Sequence, residues 1–465
     1  MKKHIFKKSL ATASMLLVAM VSYAQSSSSG YFLEGYNQRY QLNPAFAPER
    51  SVFVAVPFLS NIQVDAQGNV GLSNFLYESK SKPGMLTTFM SSEVDKEAFL
   101  DALPNAAQFN VGVNLDVLAF GMGNKRWFTT FNLKLRNNER ISIPKEMFEF
   151  MKSSLAEDNY MINDINVNSI SYVEWSLTHS HKIGDNLTIG GGLKFIEGIA
   201  YADMNIDEID ARISDDAWKV KTNGTLRASI PGARFKYNSE TNSLDGMENY
   251  KFKTPSSFGF AIDLGAEYDF KDLVKGLKVS AAITDLGFVS WGDMNTFATN
   301  NREYVTFEGF NNYDVNSDNN DDPMEKMQDD LNDMIRLYQT ADNGKESIGL
   351  DATFRLGASY DMPMVDWLSF GQLFTARTGV YPYLESRTSV CMSPSSWFDA
   401  TANLGFTSYG TTMGLLLNLH PKGVNFFLAV DRLKAEFNPQ FIPVNDFGLN
   451  FSLGLNLAFG TKGSK

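Results

Sequence analysis

Cysteine is almost absent from this chain: Cys391 is the single one in 465 residues. One thiol cannot form an intramolecular disulfide, so stability has to come from packing and strand pairing. Histidine is scarce as well, with four in the whole chain. The sequence holds no Gly-x-Ser-x-Gly elbow, no His-Glu-x-x-His helix and no phosphate-cradling Gly-rich loop, and an enzyme is not expected. His179 and His181 sit two apart on one strand face, but Trp175 and Leu177 share that face, which reads as a surface or girdle pair rather than a metal site. Past the first thirty residues no run approaches the roughly 20 apolar residues that a spanning helix needs. The mean hydropathy of -0.21 agrees. Excess positive charge is missing too. A formal net charge of -12 makes a poor nucleic-acid binder.

What the chain does have is bulk. Its 36 Phe, 18 Tyr and 6 Trp are far more large apolar groups than a solvated, disordered chain carries. At the start, Lys2, Lys3, Lys7 and Lys8 precede the apolar run Leu10 to Val21, and Ser22-Tyr23-Ala24 closes it with small residues at the positions a signal peptidase reads. Residues 1–24 are therefore expected to be an export signal. Its removal takes four lysines and no acid, moving the formal charge to -16.

From about residue 105 onward, large apolar residues recur at every second position over ten to thirteen residues. Phe109, Val111, Val113, Leu115 and Val117 share one face, with Asn110, Gly112, Asn114 and Asp116 on the other. The last run is the most regular: Phe447 to Phe459 alternates apolar and small or polar residues throughout. Soluble strands average about five or six residues, whereas a tilted strand crossing a bilayer needs about 9–11. Length thus favours an all-β, transmembrane antiparallel β-barrel of about fourteen strands, with the apolar face on lipid and the polar face in the lumen. Closure follows from the solvent, since lipid offers no partner to an open sheet edge. The residues expected to line the lumen are Asp116, Lys134, Arg136, Glu174, Lys194, Asp263, Glu267, Asp351, Arg355 and Asp431. Trp127, Tyr172, Tyr268, Trp291, Tyr360, Trp367, Trp397 and Phe459 are expected in interfacial girdles.

Several segments carry a resemblance. Tyr36 to Pro48 (YNQRYQLNPAFAP), Ile283 to Gly292 (ITDLGFVSWG), Val305 to Phe310 (VTFEGF) and Ile348 to Met362 (IGLDATFRLGASYDM) together resemble a family of Bacteroidota outer-membrane β-barrels of unknown function. That family is distantly similar to the FadL-type transporters of long-chain fatty acids, in which an Asn-Pro-Ala lies in an N-terminal hatch inside the barrel. Asn43-Pro44-Ala45 matches that triplet, and the segment before it is shorter here. The resemblance implies a plug-like segment and a small, hydrophobic ligand in the lumen.

Outside the expected wall, residues 25–50 have little periodicity, and a lumenal plug and a periplasmic tail are both open readings. Residues 51–465 would form the barrel, with long loops at about 201–254 and 291–345. Helical spacing of Val94, Phe99 and Leu103 suits a cap within 61–108, and Asn238 to Gly246 reads as a hairpin tip. Asp314, Asn316, Asp318, Asp322 and Glu325 stand at positions 1, 3, 5, 9 and 12 of a calcium-loop spacing, although position six is Asn319. A Ca²⁺ site and a solvated acidic tip are the two readings. No other cofactor is implied. Met327, Leu331, Met334, Ile335 and Tyr338 are spaced for an amphipathic helix after it.

The expected function is a channel or carrier for a small molecule in the outer membrane of a Gram-negative cell, in contact with its lipid. The alternative is a non-enzymatic surface or secretion-associated scaffold that binds an exported protein or glycan through its long loops.

Overall fold

The computed structural model describes residues 28–460 apart from 83, 154–157, 215–216, 249–252, 254–255, 301, 308–335, 380–381, 409 and 435–446. The strands in chain order begin with β1 (Val52–Ala55), β2 (Ile62–Gly68), β3 (Leu76–Glu78), β4 (Leu86–Thr88), β5 (Ala106–Gly123), β6 (Trp127–Pro144), β7 (Asp158–Ile183) and β8 (Leu187–Ile213). Next come β9 (Trp218–Ser229), β10 (Arg234–Tyr237), β11 (Leu244–Glu248), β12 (Ser257–Asp269), β13 (Leu277–Thr299), β14 (Val305–Phe307) and β15 (Leu337–Gly349). The last seven are β16 (Thr353–Asp361), β17 (Leu368–Arg377), β18 (Tyr383–Ser395), β19 (Phe398–Thr407), β20 (Gly410–Leu419), β21 (Gly423–Lys434) and β22 (Phe447–Phe459).

Antiparallel pairing runs β5 to β8, then β12, β13, and β16 to β22, and returns to β5 through β1 and β2. Because β1 and β2 occupy one position between β22 and β5, the ring has fourteen wall strands. The sequence patterns explain the register. Along the strands, inward positions are buried and mostly polar or small, with Phe53, Phe128, Leu373 and Phe427 among the large exceptions, while Leu193, Phe260, Phe374, Leu384 and Phe406 on the outward face are exposed. Trp367, Trp397, Tyr268, Tyr360 and Phe459 are also exposed at strand ends.

Two expectations fail here. Residues 61–108 do not belong wholly to a cap, since Ile62–Gly68 resumes the first wall strand with Gln63, Asp65 and Gln67 inward. A bulge at 56–61 hides the continuity: Pro57, Phe58 and Leu59 loop outward, with Phe58 at φ 60°. Leu455 N donating to Leu59 O (2.7 Å) and Asp116 N donating to Asn61 O (3.0 Å) keep the wall paired across it. Trp291 and Tyr172 are not girdle residues either. Both are buried inside, in one cluster with Tyr201 and Val289.

Short turns close one end of the ring, at 124–126, 184–186 and 420–422, and the chain leaves β22 there. All long connections lie at the other end. There β7 and β8 continue to 26 and 27 residues, more than twice what a bilayer crossing takes, and β9, upper β13 and β15 pair beside them. The hairpin β10–β11 rises from this extension, and Tyr338, expected on a helix, lies in β15. Beside it, α1 (Lys96–Asp101), capped by Asp95 accepting from Ala98 N at 2.9 Å, and α2 (Lys145–Lys152) pack with β3 and β4 around Phe89, Phe99 and Phe148. No helix among the described residues is long and apolar enough to cross a membrane.

Candidate functional site

The lumen is occupied by the chain's own N-terminal segment. Residues 28–48 make two short 3₁₀ turns, Ser28–Gly30 and Asn37–Gln41, and bury Tyr31, Leu33, Tyr36, Tyr40, Leu42 and Phe46. Burying each such side chain contributes about 1.5–3 kcal/mol relative to exposure, which explains why an aromatic-rich stretch without strand periodicity settles inside.

Its polar contacts reach opposite walls. Tyr40 accepts from Asn132 on β6 (3.2 Å), and Gln41 donates to Asp116 on β5 (2.8 Å) while accepting from Lys134 (2.7 Å). Across the ring, Ser29 N donates to Asp431 on β21 (3.3 Å), and Asn425 donates to Gly35 O (3.2 Å). Tyr31 pairs with Ser280 (3.1 Å), Glu34 with Lys278 (2.7 Å), and Arg355 donates to Leu42 O (3.3 Å).

Asn43-Pro44-Ala45 is set against β8, β12 and β13. Asn43 Oδ1 accepts from Ala45 N (2.9 Å), and its amide donates to Ala266 O and Ala281 O (both 3.4 Å). Two glycines permit the approach: a Cβ on Gly265 would stand 2.0 Å from Asn43 Oδ1, and one on Gly190 would stand 2.1 Å from Pro44 O.

Around this segment the wall carries charges in paired sets, as burial demands. Lys194 on β8 meets Asp263 (2.8 Å) and Asp285 (2.6 Å), and Arg136 joins Glu174 (3.0 Å) to Asp285 (3.2 Å). Lys134 lies 3.8 Å from Asp116. On the far side Arg387 pairs with Asp431 (3.0 Å) and Glu385, and Arg432 reaches Asp65 (3.4 Å). Asp351 pairs with Arg140 from the break between β15 and β16, outside any strand. Glu267 is half-buried near the short-turn end, and Arg355 is buried beside Thr284 (3.0 Å).

Alternation alone misses two members of these sets. Asp285 (φ 62°) and Arg432 (φ 53°) lie at bulges in β13 and β21, where two successive residues, Thr284-Asp285 and Asp431-Arg432, both face inward. The first bulge also reverses the parity of β13, which is why Trp291 points in. Asp65 lies on a strand of seven residues, and Glu385, Arg387 and Arg377 lie near the strand ends beside the 378–382 connection, so none is among the expected lining residues. The calcium-loop residues Asp314, Asn316, Asp318, Asp322 and Glu325, and the export signal, lie outside the described residues. Among the described residues, no group of three or more His, Cys, Asp or Glu is placed to hold a metal ion.

Cavities lie on both sides of the inner segment. Two, of about 430 and 510 Å³, open at the short-turn end beside Glu34, Arg39 and Glu267. A third, of about 230 Å³, lies above Gln41 toward the long connections, among five arginines and three aspartates.

The fold and site define an antiparallel β-barrel whose lumen is filled by its own N-terminal segment. The sequence matches the Family of unknown function (DUF5723) over residues 44–431, and the chain belongs to that family. No curated protein matches it. Solved structures to which the chain is similar include the Pseudomonas putida toluene transporter TodX, at 9% identity and TM-score 0.42, covering 92% of this chain and 95% of that one. The Ralstonia pickettii toluene transporter TbuX stands at 9% identity and TM-score 0.43, covering 95% and 99%. A Pseudomonas aeruginosa FadL homologue stands at 9% and 0.41, covering 90% and 92%.

Proposed function

We propose that this protein is an outer-membrane channel for a small solute, held shut by its N-terminal segment. One observation carries the reading: residues 28–48 lie across the lumen on non-covalent contacts to opposite walls, with polar cavities on either side. A barrel serving only as an anchor has no use for two solvated chambers separated by a removable segment. The exposed apolar outer face supports membrane insertion. Deleting residues 31–48 is expected to raise single-channel conductance in planar bilayers, with the barrel still recovered from the outer-membrane fraction. Conductance equal to the full chain would reject the reading.

The extension favours a second role beside the first. Strands that project this far beyond a bilayer build a surface that transport through the wall does not require. If that surface binds an exported protein or glycan, excising the β10–β11 hairpin should abolish capture of the partner and leave conductance unchanged.

A further inference from the structure

We propose that the chamber above the inner segment binds a small oxyanion, a carboxylate or phosphate, and so makes the solute of this channel an anion. The proposal deepens the channel reading, because the chamber lies on the route that reading assigns to the solute. Its floor is Gln41, and its walls come from seven wall strands, from Arg227 on β9 and from residues 348–351. Anything passing the segment would cross it.

The charge at this level is unevenly matched. Arg136, Arg140 and Arg227 each have a carboxylate partner, in Glu174 and Asp285, in Asp351, and in Asp203 and Glu346. Arg355 and Arg377 have no carboxylate in contact among the described residues; Asp285, Asp263 and Glu385 act on Arg355, and Asp65 on Arg377, only at longer range. Arg355 is nine-tenths buried, donates only to the neutral Leu42 O and Thr284 Oγ1, and leaves Nε without a partner. Arg377 is set against the Tyr383 ring (5.6 Å), and its Nε is likewise buried and unpartnered. The two stand on adjacent strands, Arg355 opposite Thr375 and Thr353 opposite Arg377, so both guanidinium groups serve one space.

A buried cation with no carboxylate in contact is costly, and a ligand that supplies the charge relieves that cost. Guanidinium forks match planar carboxylate and phosphate oxygens with two parallel hydrogen bonds. Rings of arginine are also how anion and phosphate pores select. The chamber's volume corresponds to about seven or eight waters, enough for an oxyanion group and a few carbons. Asn114, Asn138 and Thr353 add neutral polar groups around it.

The test is calorimetric titration of the full chain in detergent at low salt, with inorganic phosphate, acetate, octanoate and, as a cation of similar size, tetramethylammonium. The three anions are expected to bind and tetramethylammonium is not. Octanoate binding at least about tenfold tighter than acetate assigns the site to the head of an amphiphile, and equal binding assigns it to free anions. Arg355→Gln and Arg377→Gln should each weaken anion binding by about tenfold or more. Arg377→Gln guards against a folding artefact, because that side chain holds neither the inner segment nor a carboxylate. Anion binding unchanged in folded Arg377→Gln, or absent from the full chain, overturns the proposal. The conductance of the 31–48 deletion is independent of this result, so the channel can stand while the oxyanion site falls.

Discussion

A single methyl-bearing carbon on the wall should unseat the inner segment. Gly265 on β12 faces Asn43, and a Cβ there would stand 2.0 Å from Asn43 Oδ1 and 2.8 Å from Pro44 Cδ. Gly265→Val therefore cannot coexist with the seated Asn-Pro-Ala turn, while a β-branched residue suits the strand itself. Overpacking costs about 1–3 kcal/mol. Displacing Asn43 also forfeits its long hydrogen bonds to Ala266 O and Ala281 O, together about 1–2 kcal/mol. A total of about 2–5 kcal/mol shifts the ratio of unseated to seated segment by about thirtyfold to several thousandfold, at roughly 1.4 kcal/mol per decade. The assay is conductance in planar bilayers, read beside protease cleavage of residues 28–48 from the short-turn side. Gly191→Val is the control, since its Cβ would meet nothing closer than 3.8 Å. The expected result is high conductance and rapid cleavage for Gly265→Val, with the control like wild type. A folded Gly265→Val barrel that conducts and resists protease like wild type would refute the argument that this contact seals the lumen.

Removing the Asp285 charge should weaken the barrel without disturbing its backbone. Asn tolerates the positive φ at that position, so Asp285→Asn isolates the loss of charge beside Lys194 and Arg136, expected to cost about 3–5 kcal/mol and to lower the thermal transition in detergent. In the cap, hydrogen bonds from Ser81 and from the Lys80 amide (2.6 Å) hold the Glu93 carboxyl below its ordinary range. A depressed carboxyl contributes stability above its unfolded pKa and loses it as pH falls through the folded value. Relative protection of the Lys80 amide in hydrogen exchange, after correction for intrinsic rates, should fall on acidification and show no such pH step in Glu93→Gln. For the acidic loop, a calcium site predicts Ca²⁺-dependent protease protection that Glu325→Gln abolishes, and equal protection with and without Ca²⁺ in the wild type excludes it.

The wall was legible in the sequence wherever the solvent on both faces acts uniformly on successive residues. Phe447 to Phe459 shows why: the run coincides with β22, because lipid selects one face and the lumen the other at every step. Legibility fails where the chain leaves period two. The bulge at 56–61 breaks the first wall strand: the run before it reads as wall, but Ile62–Gly68, although it alternates, is too short to span a bilayer and reads with the cap. The inner segment has no periodicity at all, since its side chains contact walls on every side. Only Asn43-Pro44 marked it, and the matching signal in the wall, glycine at 190 and 265, is readable only once the two are brought together.

A regular strand delivers one inward side chain per two residues, which limits how many charges a lumen can gather at one height. At Thr284-Asp285 and at Asp431-Arg432, the inserted residue turns a second polar group inward on the same rung. Asp285 thereby bridges Lys194 and Arg136, and Arg432 bridges Asp65 and Glu385. The first bridge neutralises two cations and the second two carboxylates beside the inner segment. With those charges paired, Arg355 and Arg377 are the arginines of the upper chamber with no carboxylate in contact among the described residues. The bulges thus balance the wall around the segment, while Arg355 and Arg377 stand on regularly paired strands beside the chamber a passing solute would cross.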